Sequence, residues 1–171
     1  MVEAYLGMSL NDLKILIKQR IKEVTLEDLY SLSFFFNDEM IYLPREYKKE
    51  YSESVLNVTM NRFIALKNDE NSYYGDLDKQ DISIINKLLQ PNDTVINNIL
   101  NIIVIYTTYF LNEPIHPLGT KFPGQVSIYC DGLDYYCPVK KFHLNNKKSL
   151  CKICVAKVSE GENHDKNERS L

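Results

Sequence analysis

Basic charge is not in surplus in this sequence: 20 Lys and Arg stand against 23 Asp and Glu, and the net charge is −3 at pH 7. A general nucleic-acid binder carries a basic excess that attracts phosphate, so the chain as a whole does not read as one. Long apolar runs are missing too. The most apolar stretch, Ile99 to Leu111, is shorter than the ~20 residues a membrane-spanning helix needs. Asn97, Asn98 and Asn101 flank or interrupt it. Behind Met1 no basic segment leads into an apolar one, as a secretory signal would require. The expectation is a cytoplasmic protein with no membrane span. Internal repeats, a Gly-rich phosphate loop and a Gly-x-Ser-x-Gly elbow are also missing. Tryptophan is absent.

What is present is mostly helical periodicity. Leu10, Leu13, Ile17, Ile21 and Val24 recur every three or four residues behind Ser9 or Asn11, either of which can cap a first helix. Thr25-Leu-Glu-Asp28 resembles a capping box with Asp in place of Glu or Gln, and predicts a second helix carrying Leu29, Leu32 and Phe36. Pro44 interrupts that helix or begins the next. Tyr47, Tyr51, Val55, Val58, Arg62 and Leu66 form a third stripe, which should fail near Asn68-Asp-Glu-Asn71. Asp78 can cap a fourth helix with Ile82, Ile85 and Leu89 inward. Ile102-Ile-Val-Ile-Tyr106 also suits a buried strand. However, Asn97, Asn101, Thr108 and Asn112 are spaced as one helical face, so a fifth, nearly buried helix is expected. Asp38-Glu39 and the group Asp76, Asp78, Asp81 read as solvated faces and caps. Adjacent helical residues point apart, and Asp76-Leu-Asp78 lacks the ligand ladder and Gly of an EF-hand loop.

After residue 112 the composition changes. Glu113 to Gly124 holds three Pro and two Gly in twelve residues, which excludes a regular helix or a central strand. His116 in this loop is a candidate ligand or general base, or else a surface histidine. Gln125 to Cys130 and Leu133 to Cys137 read as two strands around Asp131-Gly132, a hairpin signal.

The hairpin permits a test of the four cysteines. With Asp131-Gly132 as the loop, Cys130 pairs with Leu133 and Val126 with Cys137. Cys130 and Cys137 are then on the order of 13 Å apart. Thiolates sharing one zinc sit roughly 4 Å apart. Cys130 is therefore expected to be a small hydrophobic residue near the turn. Cys137, Cys151 and Cys154 remain, the last two as a Cys-x-x-Cys pair able to present both sulfurs to one ion. His116 or His143 can supply a fourth ligand. Inside a cell this spacing points to metal or redox chemistry rather than disulfides. No thioredoxin-type βαβ context supports a redox pair. Plain buried cysteines are the bland alternative. From Tyr135 to Ser159 there are six Lys and no Asp or Glu. They balance a thiolate cluster or form an anion-binding face for nucleic acid, involving Lys140, Lys141, Lys147, Lys148 and Lys152.

The string His116-Pro-x-Gly-Thr-x-Phe-Pro-Gly124, with Tyr135-Tyr-Cys-Pro-Val139 and Leu150-Cys-x-x-Cys-Val-Ala156, resembles an uncharacterised family of methanogenic archaea, domain of unknown function 2115. The resemblance covers about 45 residues closely, with a helical segment before them. It implies a set made of Cys137, Cys151 and Cys154 with His116, without Cys130. It also implies an archaeal cytoplasm, where zinc and iron–sulfur clusters are both admissible.

The expected fold is mainly α: a bundle of about five helices with a small C-terminal β-hairpin and a Cys-rich module. The expected organisation is a helical body over 1–112, a module over 113–157 packed on it, and a disordered tail over 158–171. The expected function is a structural zinc site in a module that binds a macromolecular partner. A metal- or Fe–S-dependent enzyme or redox protein is the first alternative, and nucleic-acid binding through the Lys-rich face is the second.

Overall fold

A computed structural model of the chain describes residues 7–39, 44–91, 94–122, 124, 126–146 and 149–159. The chain divides into two compact units, Met1–Asn112 and Glu113–Leu171. The fold is mainly α, as expected.

The first unit is built from capped amphipathic helices. Helix α1 (Leu10–Ile21) starts on Ser9, whose Oγ accepts from the Asp12 N–H at 3.1 Å while the Asp12 carboxylate accepts from the Ser9 N–H at 3.2 Å. Thr25 and Asp28 repeat this exchange ahead of α2 (Leu26–Glu39). Asp therefore serves in both boxes where Glu or Gln is usual. Pro44 begins a helix, standing immediately before α3 (Arg45–Asn68). Asp78 caps α4 (Lys79–Leu88), and Thr94 caps α5 (Val95–Tyr106). Helix α5 continues as one wide π turn, Thr107–Leu111, and stops at Asn112 in the left-handed region, φ 51°.

The ambiguous segment 102–106 is thus helical. Its polar face explains the outcome, because the Asn101 side chain donates to the Leu88 carbonyl at 3.0 Å. Helix α5 packs against α1, α2, α3 and α4. Its Ile99 and Ile105 and, from the surrounding helices, Leu13, Ile17, Leu32, Leu66 and Ile85 are fully buried. Among the described residues no helix is long and apolar enough to cross a membrane.

A polar clasp fastens the segment after α3. Asp69 is buried, and its Oδ2 accepts from Tyr73 Oη at 2.7 Å and Tyr106 Oη at 3.0 Å, while Oδ1 accepts from the Asn71 N–H at 2.8 Å. Lys18 donates to the Asp69 carbonyl at 2.6 Å, and Lys14 to the Asn71 carbonyl. Burial pushes the Asp69 carboxyl up, but these hydrogen bonds and the Lys14 charge outweigh it and hold the carboxyl below the usual range. Asp78 is a local cap as expected, accepting from the Asp81 N–H at 2.7 Å, whereas Asp81 is not a merely solvated carboxylate: it accepts from Tyr109 Oη at 2.8 Å, 28 residues on. The side chains of Asp38 and Glu39 lie outside the described residues.

Among its described residues the second unit holds five short strands. Strands β1 (Lys121–Phe122) and β2 (Val126–Ser127) pair antiparallel. Strand β3 (Tyr129–Asp131) pairs antiparallel with β4 (Asp134–Cys137), and β5 (Lys157–Val158) pairs parallel with β4. A one-turn helix, α6 (Lys140–His143), follows β4.

Three expectations change here. The run 125–130 is not one strand. It breaks at buried Ile128, whose N–H donates to Thr120 and whose carbonyl accepts from Gly119. The Pro/Gly loop thereby satisfies its own backbone groups. The hairpin register also differs. Asp131 pairs with Asp134, and Cys130 with Tyr135 rather than Leu133. The two turn residues are Gly132 and Leu133, because Gly132 takes φ +62°, as a type II′ turn requires at its first position. Finally, Val158 lies in β5 and Ser159 is buried, so the ordered segment does not stop at Lys157. The expected tail over 160–171 lies outside the described residues.

Candidate thiol site

Cys137 ends β4 and is buried. Pro138 follows, with its φ confined near −65° and no N–H of its own. The chain then turns so that the N–H groups of Val139 and Lys140 face back on the Cys137 sulfur. Burial pushes the Cys137 thiol up. The two backbone donors pull it down, the charges of Cys151 and Cys154 push it up again, and the net shift is upward. Cys151 and Cys154 are therefore within electrostatic reach of Cys137.

The Cys-x-x-Cys pair sits on a tight turn. Ser149 Oγ accepts from the Cys151 N–H at 3.2 Å and starts a 3₁₀ turn, Leu150–Lys152, which the Ile153 N–H closes on the Leu150 carbonyl at 3.3 Å. Both cysteines are half-buried. The N–H of Ile115, from the Pro/Gly loop, donates to Cys154 Sγ at 3.4 Å. Lys140 Nζ donates to the Cys154 carbonyl at 2.8 Å and the Ala156 carbonyl at 2.6 Å.

Cys137 thus feels the charges of Cys151 and Cys154. Among the described residues, however, no three His, Cys, Asp or Glu side chains already form a group that could hold a metal ion. Cys130 stands apart. It lies near the turn, as expected, but it is an exposed thiol rather than a packed hydrophobic residue, and its Sγ–H donates to the Gly132 carbonyl at 3.3 Å. The true register places it two strand positions from Cys137, about 7 Å along the strand, still too far to share an ion with it.

The two histidines differ in setting. His116 directly follows Ile115, and its ring packs edge-on against Phe122 at 5.4 Å. His143 is the exposed last residue of α6. The lysines do not form one uniform basic face. Lys140 points to carbonyls of the Cys154 segment, and Lys157 pairs with Asp134 at 2.5 Å. Lys141 lies over the exposed Phe142 ring, and Lys152 is exposed. Lys147 and Lys148 lie outside the described residues.

Sequence reasoning missed the Ile115, Val139 and Lys140 donors. Only the Cys-Pro-Val-Lys string hinted at two of them, because proline after cysteine forces a turn that aims the next amides backward. Nothing in the sequence signalled Ile115, whose approach to Cys154 spans 39 residues.

The profile of a family described as an uncharacterized protein conserved in archaea, DUF2115, matches residues 9–159. A UPF0305 protein of Methanothermobacter thermautotrophicus is 34% identical over 149 residues, covering 82% of this chain and 91% of the relative. A UPF0305 protein of Methanocaldococcus jannaschii is 28% identical over 150 residues, with the same coverage. One from Methanococcus maripaludis is 26% identical over 149 residues, again covering 82% and 91%. No solved structure matches the chain.

Proposed function

The chain belongs to this archaeal DUF2115 family, and from that premise we propose that its C-terminal unit is a thiolate module. It closes on one zinc ion through Cys137, Cys151 and Cys154, with His116 as fourth ligand, and serves to bind a macromolecular partner. The carrying observation is a backbone donor aimed at sulfur, the Ile115 N–H that donates to Cys154 Sγ at 3.4 Å. An N–H is a poor match for a neutral thiol and a good one for a thiolate, the form that binds metal.

Two further facts support the reading. The buried apolar side chains described in this unit are Phe122, Ile128, Cys137 and Ala156, with Pro114. So small a core leaves the ordering of a Pro/Gly-rich segment poorly compensated, and a metal bond set supplies the difference. Leu133 at the hairpin tip is 97% exposed and Phe142 72%, apolar surface of the kind a partner covers. Since no three ligand side chains yet converge closely enough, binding must draw the Cys151–Cys154 turn toward Cys137. His116 is preferred to His143 because it is joined to the residue that already touches Cys154.

Metal analysis of anaerobically purified protein tests this. About one zinc per chain is expected, lost in Cys137→Ser, Cys151→Ser and Cys154→Ser but kept in Cys130→Ser. Protein without metal, or a Cys151→Ser variant that keeps its zinc, would overturn the reading. Iron with broad absorption near ~400 nm would replace zinc by a cluster on the same cysteines.

A further inference from the structure

We infer that Lys140 is a positioning residue that locks the two cysteine arms of this site together and supplies its counter-charge. The inference rests on the thiolate reading above.

Lys140 is the first residue of α6, three positions beyond Cys137. Its backbone and its side chain serve different arms. The backbone N–H pulls the Cys137 thiol down, against the burial that raises it. The ammonium bridges the Cys154 and Ala156 carbonyls at 2.8 and 2.6 Å. Just beyond, β5 joins β4 with Cys137 opposite Val158, and the Ser159 N–H donates to the Cys137 carbonyl at 3.3 Å. Cys137 is thus tied to the strand behind Cys154, and Lys140 ties the intervening segment. Because Lys140 stands three residues after Cys137, moving the Cys154 arm away from it breaks both ammonium bonds.

The electrostatics point the same way. Among the described residues no carboxylate pairs with Lys140. The segment from Tyr135 to Ser159 contains no Asp or Glu at all. Two carbonyl dipoles take two of the ammonium's three donors and leave its full charge uncancelled in a half-buried place. Three thiolates with a divalent cation carry net −1. That is the anion this setting lacks, and it would form beside the Cys154 carbonyl that Lys140 already holds.

Full-length Lys140→Met and Lys140→Arg variants test the inference against wild type. Each is titrated with Zn²⁺ against a competing chelating dye, and with Co²⁺ while the thiolate-to-cobalt absorption is followed. Lys140→Met keeps the stem's bulk and removes the charge and donors. It should weaken zinc binding about 10- to 100-fold, the usual loss when an outer partner of a metal ligand is removed, and alter the cobalt band. Lys140→Arg should restore most of both. Unchanged affinity and spectrum in Lys140→Met would overturn the role of Lys140 and leave the thiolate reading standing. So would an arginine variant as impaired as the methionine one, because charge and donors would then not be what matters. This comparison holds even if Lys140→Met fails to fold the unit. Wild type that takes up neither ion would remove the thiolate reading and this inference with it.

Discussion

The N–H of Ile115 donates to the Sγ of Cys154 at 3.4 Å, joining the Pro/Gly-rich loop to a Cys-x-x-Cys turn 39 residues later in the chain. Glycine and proline alone would not pin that loop. This bond, with the Gly119–Ile128 and Ile128–Thr120 backbone bonds, holds the loop that carries His116, whose ring packs on Phe122.

Cys154→Ala removes the acceptor and leaves the Ile115 amide to find water. Protection of that amide in metal-free protein should fall by about 1 kcal/mol, the net worth of a typical hydrogen bond. Amide hydrogen exchange reads this directly. Cys130→Ala should leave the same amide unchanged, since the Cys130 thiol donates to the Gly132 carbonyl of its own turn.

The four thiols should alkylate in a definite order. Cys130 is exposed and should react first with iodoacetamide. Cys137 should react last, because it is buried and burial holds its thiol up in its neutral form. Timed quenching with peptide mass spectrometry gives the order. Cys137 modified before Cys130 in native protein would contradict the structure.

Asp69 should govern the acid limb of stability in the helical unit. Its carboxyl lies lower in the folded chain than in the unfolded one. The folded state therefore binds fewer protons, and this contribution is complete above the unfolded value of about 3.9. It drains away as pH falls through the lower folded value. Asp69→Asn should flatten that limb. It should also cost about 1–3 kcal/mol at neutral pH, because an amide whose oxygen accepts from Tyr73 and Tyr106 turns its NH2 on the Asn71 N–H, which then loses its acceptor. Thermal melts across the acid range check both effects.

Leu66 is fully buried in α3. Leu66→Ala should lower the stability of the helical unit by about 2–5 kcal/mol, from lost burial and the cavity left behind. Urea unfolding followed by helical circular dichroism measures it. Ile64→Ala, half exposed on the same helix, should cost far less.

Much of the helical unit was legible in the sequence because its information is local. Ser9, Thr25, Asp78 and Thr94 each satisfy amides within three residues. Leu13, Ile17 and Ile21 share a face through the helical repeat itself. The Asp69 clasp was not legible. Lys14, Lys18 and Tyr106 reach it from 37 to 57 residues away, and in sequence they look like surface charge and core aromatic. The hairpin was half legible. Asp-Gly announced a turn, but the positive φ of Gly132 moved its centre one residue on and changed every cross-strand partner.

By itself, then, the sequence determined helix starts and stops, the apolar stripes, the mainly α class and the break in character after Asn112. These follow from capping, periodicity and backbone restriction, which act over a few residues. Only the tertiary structure decided that Cys130 is a surface thiol, that Lys140 turns its ammonium to the Cys154 and Ala156 carbonyls, and that the Ile115 amide meets the Cys154 sulfur. Those pairings join segments from 14 to 39 residues apart, and nothing local specifies them. They arise where buried polar groups must find partners from whatever the fold brings near.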